Sequence, residues 1–122
     1  MSNIQHQITS QGERLFLAES PFSGVLQTED EQGRAQKIYL NGNKHGIQKD
    51  FFPSGKLKAV CMYTRGIENG RKIEYYDCGS KKLNANYIDG VIDGIYEEWD
   101  HVGRLIVRKT YFKGRVFAVK YL

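Results

Sequence analysis

Residues 63–79 read YTRGIENGRKIEYYDCG, with Tyr63 followed by glycines at 66, 70 and 79 and an aromatic at 75. Twenty-four residues earlier, Tyr39, Gly42, Gly46, Phe51 and Gly55 keep the same offsets; twenty-four later, Tyr87, Gly90, Gly94, Trp99 and Gly103 keep them again. A fixed period of this size marks an array whose units bury their apolar faces by stacking on neighbours. Three full units run 39–62, 63–86 and 87–110. A partial unit, 111–122, begins with Tyr111 and Gly114 and has Ala118 where the second glycine would fall. Upstream, residues 21–38 form a degenerate unit in which Gly24 and Gly33 keep the spacing of Gly46 and Gly55, and residues 1–20 read as an N-terminal cap or tail.

Each unit predicts a β-hairpin. A short strand ends in aromatics (GIQKDFF, GRKIEYY, GIYEEWD), a tight turn carries the third glycine (PSG, DCG, HVG), and a second strand returns. The third glycine suits a three-residue loop that closes on a left-handed residue. Helical periodicity is confined to residues 9–19, so the expected fold is all-β: an elongated single antiparallel sheet of stacked 24-residue hairpins. Regular pairing outward from a Phe51–Leu57 pair predicts a core face of Ile47, Phe51, Leu57, Ala59, Cys61 and Tyr63. In the next units that face holds Ile73, Tyr75, Leu83, Ala85 and Tyr87, then Ile95, Trp99, Leu105, Val107 and Tyr111. The other face then carries a column of Asp50, Glu74 and Glu98, with Lys58 and Lys82 expected opposite the first two.

These offsets resemble the MORN repeat in its bacterial variant form, Tyr-x-x-Gly-x-x-x-Gly-x-x-x-x-aromatic-x-x-x-Gly-x-Leu, which YLNGNKHGIQKDFFPSGKL matches almost throughout. SPFSGV is similar to the entry segment of such arrays, and the resemblance covers about 100 residues. Lys81 in place of the leucine, Asp100 in place of the second aromatic and Ala118 are its departures. The resemblance implies a twisted sheet of hairpins with no enzymatic activity, used as a binding surface. It also implies a role such as that of bacterial antitoxin or immunity proteins, whereas eukaryotic relatives are linked to membrane surfaces and scaffolding.

The residues themselves point away from catalysis. His6, His45 and His101 fall in separate segments, and there is no Gly-x-Ser-x-Gly, phosphate loop or Cys-x-x-Cys. Asp100-His101 is the one adjacent acid and imidazole, expected solvated at a turn, and Cys78 with His101 is too small a set for a metal. No cofactor and no metal are expected. Cys61 and Cys78 stand at different offsets, 22 and 15, and are expected as free thiols. With no apolar run of membrane-spanning length and no secretory signal pattern at the start, the expected location is cytoplasmic.

Charge is uneven. Residues 1–36 carry two basic and five acidic side chains, and residues 37–122 carry sixteen basic and nine acidic. Asp89, Asp93, Glu97, Glu98 and Asp100 form an acidic block, followed by a C-terminal stretch that is basic throughout, including Arg104, Arg108 and Lys109. Such segregation suits steered association with one partner. The net charge of +4 and the acidic block argue against general nucleic-acid binding, and lysines on an edge strand serve to discourage sheet-to-sheet pairing.

The expected function is therefore a non-catalytic protein-binding module that neutralises a cognate toxin. Contacts are expected at those eight charged residues and at Phe52, Tyr76 and Tyr96, aromatics assigned to the face opposite the core. The alternative is an adaptor on anionic membrane, through the basic C-terminal strands, or an assembly scaffold pairing by its sheet edges.

Overall fold

The period closes into one antiparallel sheet. The computed structural model describes the backbone of residues 4–9, 12–17 and 20–121 and the side chains of 21–121, and every regular element among them is a strand. In chain order these are β1 (Ile4–Thr9), β2 (Gly12–Leu17), β3 (Ser20–Pro21), β4 (Gly24–Asp30), β5 (Gly33–Leu40), β6 (Asn43–Lys44) and β7 (Gly46–Phe51). Then follow β8 (Leu57–Thr64), β9 (Ile67–Tyr75), β10 (Lys81–Ile88), β11 (Val91–Ile92), β12 (Gly94–Trp99), β13 (Leu105–Phe112) and β14 (Arg115–Tyr121). The lateral order is β1-β2-β6-β5-β7-β8-β9-β10-β12-β13-β14, with β4 on β5, so successive hairpins stack side by side. The helical periodicity of residues 9–19 is overridden: β2 covers Gly12–Leu17 and pairs with β1 from Ile4↔Leu17 to Thr9↔Gly12. So short a segment gains little as an isolated helix, whereas as a hairpin it extends a sheet already present.

Two kinds of turn alternate. At the hairpin tips, the Phe52 N–H donates to the Lys56 carbonyl at 2.8 Å and the Gly55 N–H to the Phe52 carbonyl at 2.8 Å; Tyr76 to Gly79 and Ser80, and Asp100 to Gly103 and Arg104, repeat this. Gly55, Gly79 and Gly103 sit at φ of 91, 97 and 90°, the predicted left-handed closure of a three-residue loop. Between units the chain turns on only two residues, Asn41-Gly42, Arg65-Gly66, Asp89-Gly90 and Lys113-Gly114. Both residues of each pair have positive φ, as a type I′ turn requires. Each of these glycines also donates its N–H to the preceding unit: Gly42 to Phe22, Gly66 to Lys44, Gly90 to Glu68 and Gly114 to Ile92, at 2.7 or 2.8 Å.

Registry departs from the regular pairing expected from the sequence. Phe51 does pair with Leu57, but the next pair is Asp50↔Ala59, so Lys58 is an extra residue in a one-residue bulge. Lys82 and Ile106 are extra in the same way in the later units. The bulge therefore sets Ala59, Cys61 and Tyr63 on the face of Asp50 and Gln48, and Ile47 on the other face, opposite Met62. Ile73 and Ile95 likewise leave the predicted core face, for they pair with Asn84 and Thr110. Ala59 and Leu83, not Lys58 and Lys82, stand opposite Asp50 and Glu74. Tyr96 is corrected too: Glu98↔Val107 and Gly94↔Tyr111 place it on the face of the buried Val107 and the ladder tyrosine.

The sheet is a single layer with a thin core. Among the described residues the buried hydrophobic side chains are Tyr39, Ala85 and Val107, joined by Gln48 at 2% exposure. All four lie on the face of Asp50, Glu74 and Glu98, hereafter the carboxylate face. The periodic tyrosines stand across from glycines: Tyr39↔Gly24, Tyr63↔Gly46, Tyr87↔Gly70 and Tyr111↔Gly94. Each of these glycines has a positive φ, from 82 to 145°, a backbone conformation that other residues rarely adopt.

Candidate binding face

The carboxylate face is built by alternation and lateral pairing. Ala35, Asp50, Ala59, Glu74, Leu83, Glu98 and Val107 form one row across seven strands, each paired with the next. Each acid is thus flanked by apolar side chains and lies two strands, about 10 Å, from the next acid. That spacing is too wide for two carboxylates to share a proton or a metal ion. Each acid instead has its own partner: Lys37 Nζ reaches Asp50 at 3.3 Å, Lys72 Nζ reaches Glu74 at 3.7 Å, and the Tyr96 hydroxyl donates to Glu98 at 2.7 Å. Burial, then that bond to the carboxylate, pushes the Tyr96 phenol above its ordinary range.

Toward the hairpin tips this face opens into a groove of about 660 Å³, walled by Phe52, Lys58, Lys72, Tyr76, Lys82 and His101 with Asp50 and Glu74 in its floor. Tyr76 fixes one wall. Its hydroxyl donates to the Trp99 carbonyl in the next unit at 2.7 Å, and its ring packs on His101 with centroids 4.1 Å apart. Lys58 lies over Phe52 at 5.7 Å and Lys82 over Tyr76 at 5.8 Å, so both ammonium groups are drawn to ring faces. His101 is exposed at the turn, as expected, with one side of its ring against Tyr76. That contact was not legible in the sequence because Tyr76 is twenty-five residues away, across a unit boundary.

The acidic block does not form one patch. Asp89 occupies an inter-unit turn at φ 48°, and Asp93 caps the following turn by accepting the Lys113 N–H at 2.8 Å. Asp100 organises its own hairpin tip, accepting from the Val102 and Arg104 N–H groups at 3.0 and 2.9 Å and from Arg104 Nε at 3.0 Å. The bond from the Arg104 backbone is the main reason its carboxyl stays below the usual carboxylate value. Glu97 lies on the opposite face, held by Arg108 at 2.7 and 3.0 Å. Glu98 is brought together only with Tyr96 and, through its ring, with Lys109 at 5.5 Å. Of the predicted contact residues, Phe52 and Tyr76 share the groove, on the face of the buried side chains rather than opposite it as expected. Tyr96, Glu98 and Lys109 share that face; Glu97 with Arg108 and Asp100 with Arg104 form separate pairs; and Asp89 and Asp93 sit at turns.

One residue and one contact escaped the sequence reading. Gln48 is buried and bridges β5 and β7, accepting the Ile38 N–H at 2.8 Å and donating to the Ile38 carbonyl at 2.9 Å. Its signal was weak, since Lys72 and Tyr96 stand at the same offset. Cys61, half-buried, lies 3.5 Å from Glu68; burial and then that carboxylate push its thiol up to about 11. Cys61 and Cys78 are both free. Among the described residues no three His, Cys, Asp or Glu side chains come together as a metal site. No helix of the described residues is long and apolar enough to cross a membrane.

No protein-family model matches the chain, and no curated protein matches it.

Proposed function

We propose that the chain is a non-catalytic protein-binding module, a divergent MORN-type array that neutralises a cognate toxin by direct binding. The observation that carries this reading is the single-layer sheet: broad open faces are offered, while the three acids of its column are tied into separate pairs about 10 Å apart. An open face of mixed aromatic and charged side chains suits a protein contact better than a small molecule, which needs enclosure. The test is co-expression with toxins encoded beside its gene. Growth rescue by direct complex formation is the expected result; absence of protection against all of them would remove the reading.

A second reading draws on β14 and the turn that leads into it. Phe112, Phe117 and Tyr121 are 62, 72 and 75% exposed beside Lys113, Arg115 and Lys120, the combination that an anionic membrane surface attracts. Co-sedimentation with vesicles should then rise with acidic lipid and fall with salt.

A further inference from the structure

The two faces of the sheet differ in a way the repeat pattern conceals. On the carboxylate face the cations are engaged, Lys37 with Asp50 and Lys72 with Glu74, and Lys44, Lys58, Lys82 and Lys109 over the rings of Tyr63, Phe52, Tyr76 and Tyr96. The opposite face, where β7, β8 and β9 adjoin, presents an apolar patch: Ile47 stands directly across from Met62, and Val60 from Ile73. Ile47 is 42% exposed and Met62 40%, although both belong to the interior of the array rather than to its ends. Two cations sit within this patch, Lys49 across from Val60 and Arg71 one position from Lys72 on β9, facing Asn86. Neither makes an ion pair among the described residues, whereas on the same face Glu97 is held by Arg108 at 2.7 Å, and Glu29 stands outside the patch, on β4 across from Arg34.

We infer that the Ile47, Val60, Met62 and Ile73 patch, with Lys49 and Arg71, is the partner-docking surface, and that its occupant is a protein surface of apolar side chains with carboxylates set among them. Exposed apolar area of this kind gains free energy when covered. The two unmatched cations choose the occupant by charge complementarity. A second copy of this chain is a poor occupant, because two such patches would oppose Lys49 and Arg71 with further cations, and neither Glu29 on β4 nor Glu97 on β12 lies within the patch. The expected docking chemistry is therefore the reverse of that suggested by the acidic block, which would select a basic partner. This rests on the chain being a protein-binding module, but not on the partner being a toxin.

The test places a photo-crosslinking amino acid at Ile47 and, separately, at Tyr87 on the carboxylate face, in the full chain in its cell of origin. Circular dichroism confirms the fold of each variant. The expected result is one protein adduct from position 47 and none from position 87, with the crosslinked peptide apolar and containing Asp or Glu. In the purified pair, Lys49→Glu with Arg71→Glu should weaken binding at least about tenfold at low salt, and the difference should shrink at high salt. An adduct of twice the chain's mass, a lipid adduct, an adduct from position 87 alone, a crosslinked peptide that is basic, or no adduct would overturn the proposal. An acidic, apolar partner that is not a toxin would leave this surface standing and remove toxin neutralisation; a toxin captured only at position 87 would do the reverse.

Discussion

At single residues, the repeated glycines are not equivalent, and space separates them. Gly90 and Gly94 have nearly the same left-handed backbone, φ 82 and 85°. A Cβ on Gly94 would meet nothing within 4 Å, but one on Gly90 would come within 2.9 Å of Ile67 Cγ2 in the preceding unit. Gly94→Ala should therefore cost only the backbone strain, about 1–2 kcal/mol, and Gly90→Ala that and the clash. Urea denaturation of the two variants compares them directly, and equal losses would mean that Ile67 yields freely. Burial also sets a pH limit. It pushes the Cys61 thiol up from 9.0 to about 11 and the Tyr63 phenol from 10.0 to about 12. In the unfolded chain both groups ionise earlier, so their contribution is fully present below pH 9 and is lost as pH rises from 9 toward 12. The melting temperature should fall through that window, less steeply between pH 9 and 11 for Cys61→Ala. Cys78, exposed and held below its ordinary value chiefly by the Ser80 hydroxyl, should react first with a thiol reagent.

At the level of strands and turns, units are joined by backbone bonds from turn glycines and by a few side chains that reach across a boundary. Tyr76 is one, through its 2.7 Å bond to the Trp99 carbonyl. Tyr76→Phe keeps the ring on His101 and removes only that bond, so it should cost about 1 kcal/mol in thermal unfolding. A loss near zero would show that solvent satisfies the Trp99 carbonyl equally well. What could be read from the sequence divides along the same lines. Hairpins, tip loops and the alignment of the acidic column were legible because one residue type at one offset encodes each, a glycine at 55, 79 and 103, an acid at 50, 74 and 98. The column's face was not, for it lies with the buried side chains rather than opposite them. The bulges were not, because Lys58, Lys82 and Ile106 share no chemistry that announces an unpaired residue. One unseen residue per unit was enough to move Ile47, Ile73 and Ile95 off the expected core face. The candidate site suffered most, since a docking surface depends on which side chains share a face, and the acidic block looked continuous only along the chain.

Across the whole molecule, the four buried side chains among the described residues, Tyr39, Gln48, Ala85 and Val107, are spread over β5, β7, β10 and β13 rather than gathered in one centre. No single cluster then holds every strand, and each hairpin depends chiefly on the two beside it, as in a linear array. Stability should grade with position. β9 is paired along both sides, with β8 and β10. β14 is paired only with β13, and all seven of its residues are exposed. Local opening from that edge breaks one ladder and uncovers little apolar surface, whereas opening β9 breaks two. Native-state hydrogen exchange should accordingly show β14 amides exchanging at least about a hundredfold faster than those of β9, with β12 and β13 between them. The same gradient bears on partner binding: the Ile47 and Met62 patch lies on interior strands, so a partner docked there would protect β7 to β9 and leave the exchange of β14 unchanged. Uniform protection from β7 to β14 in the free chain would instead mean that the array opens all at once, and that neighbour contacts couple the units more strongly than their thin core implies.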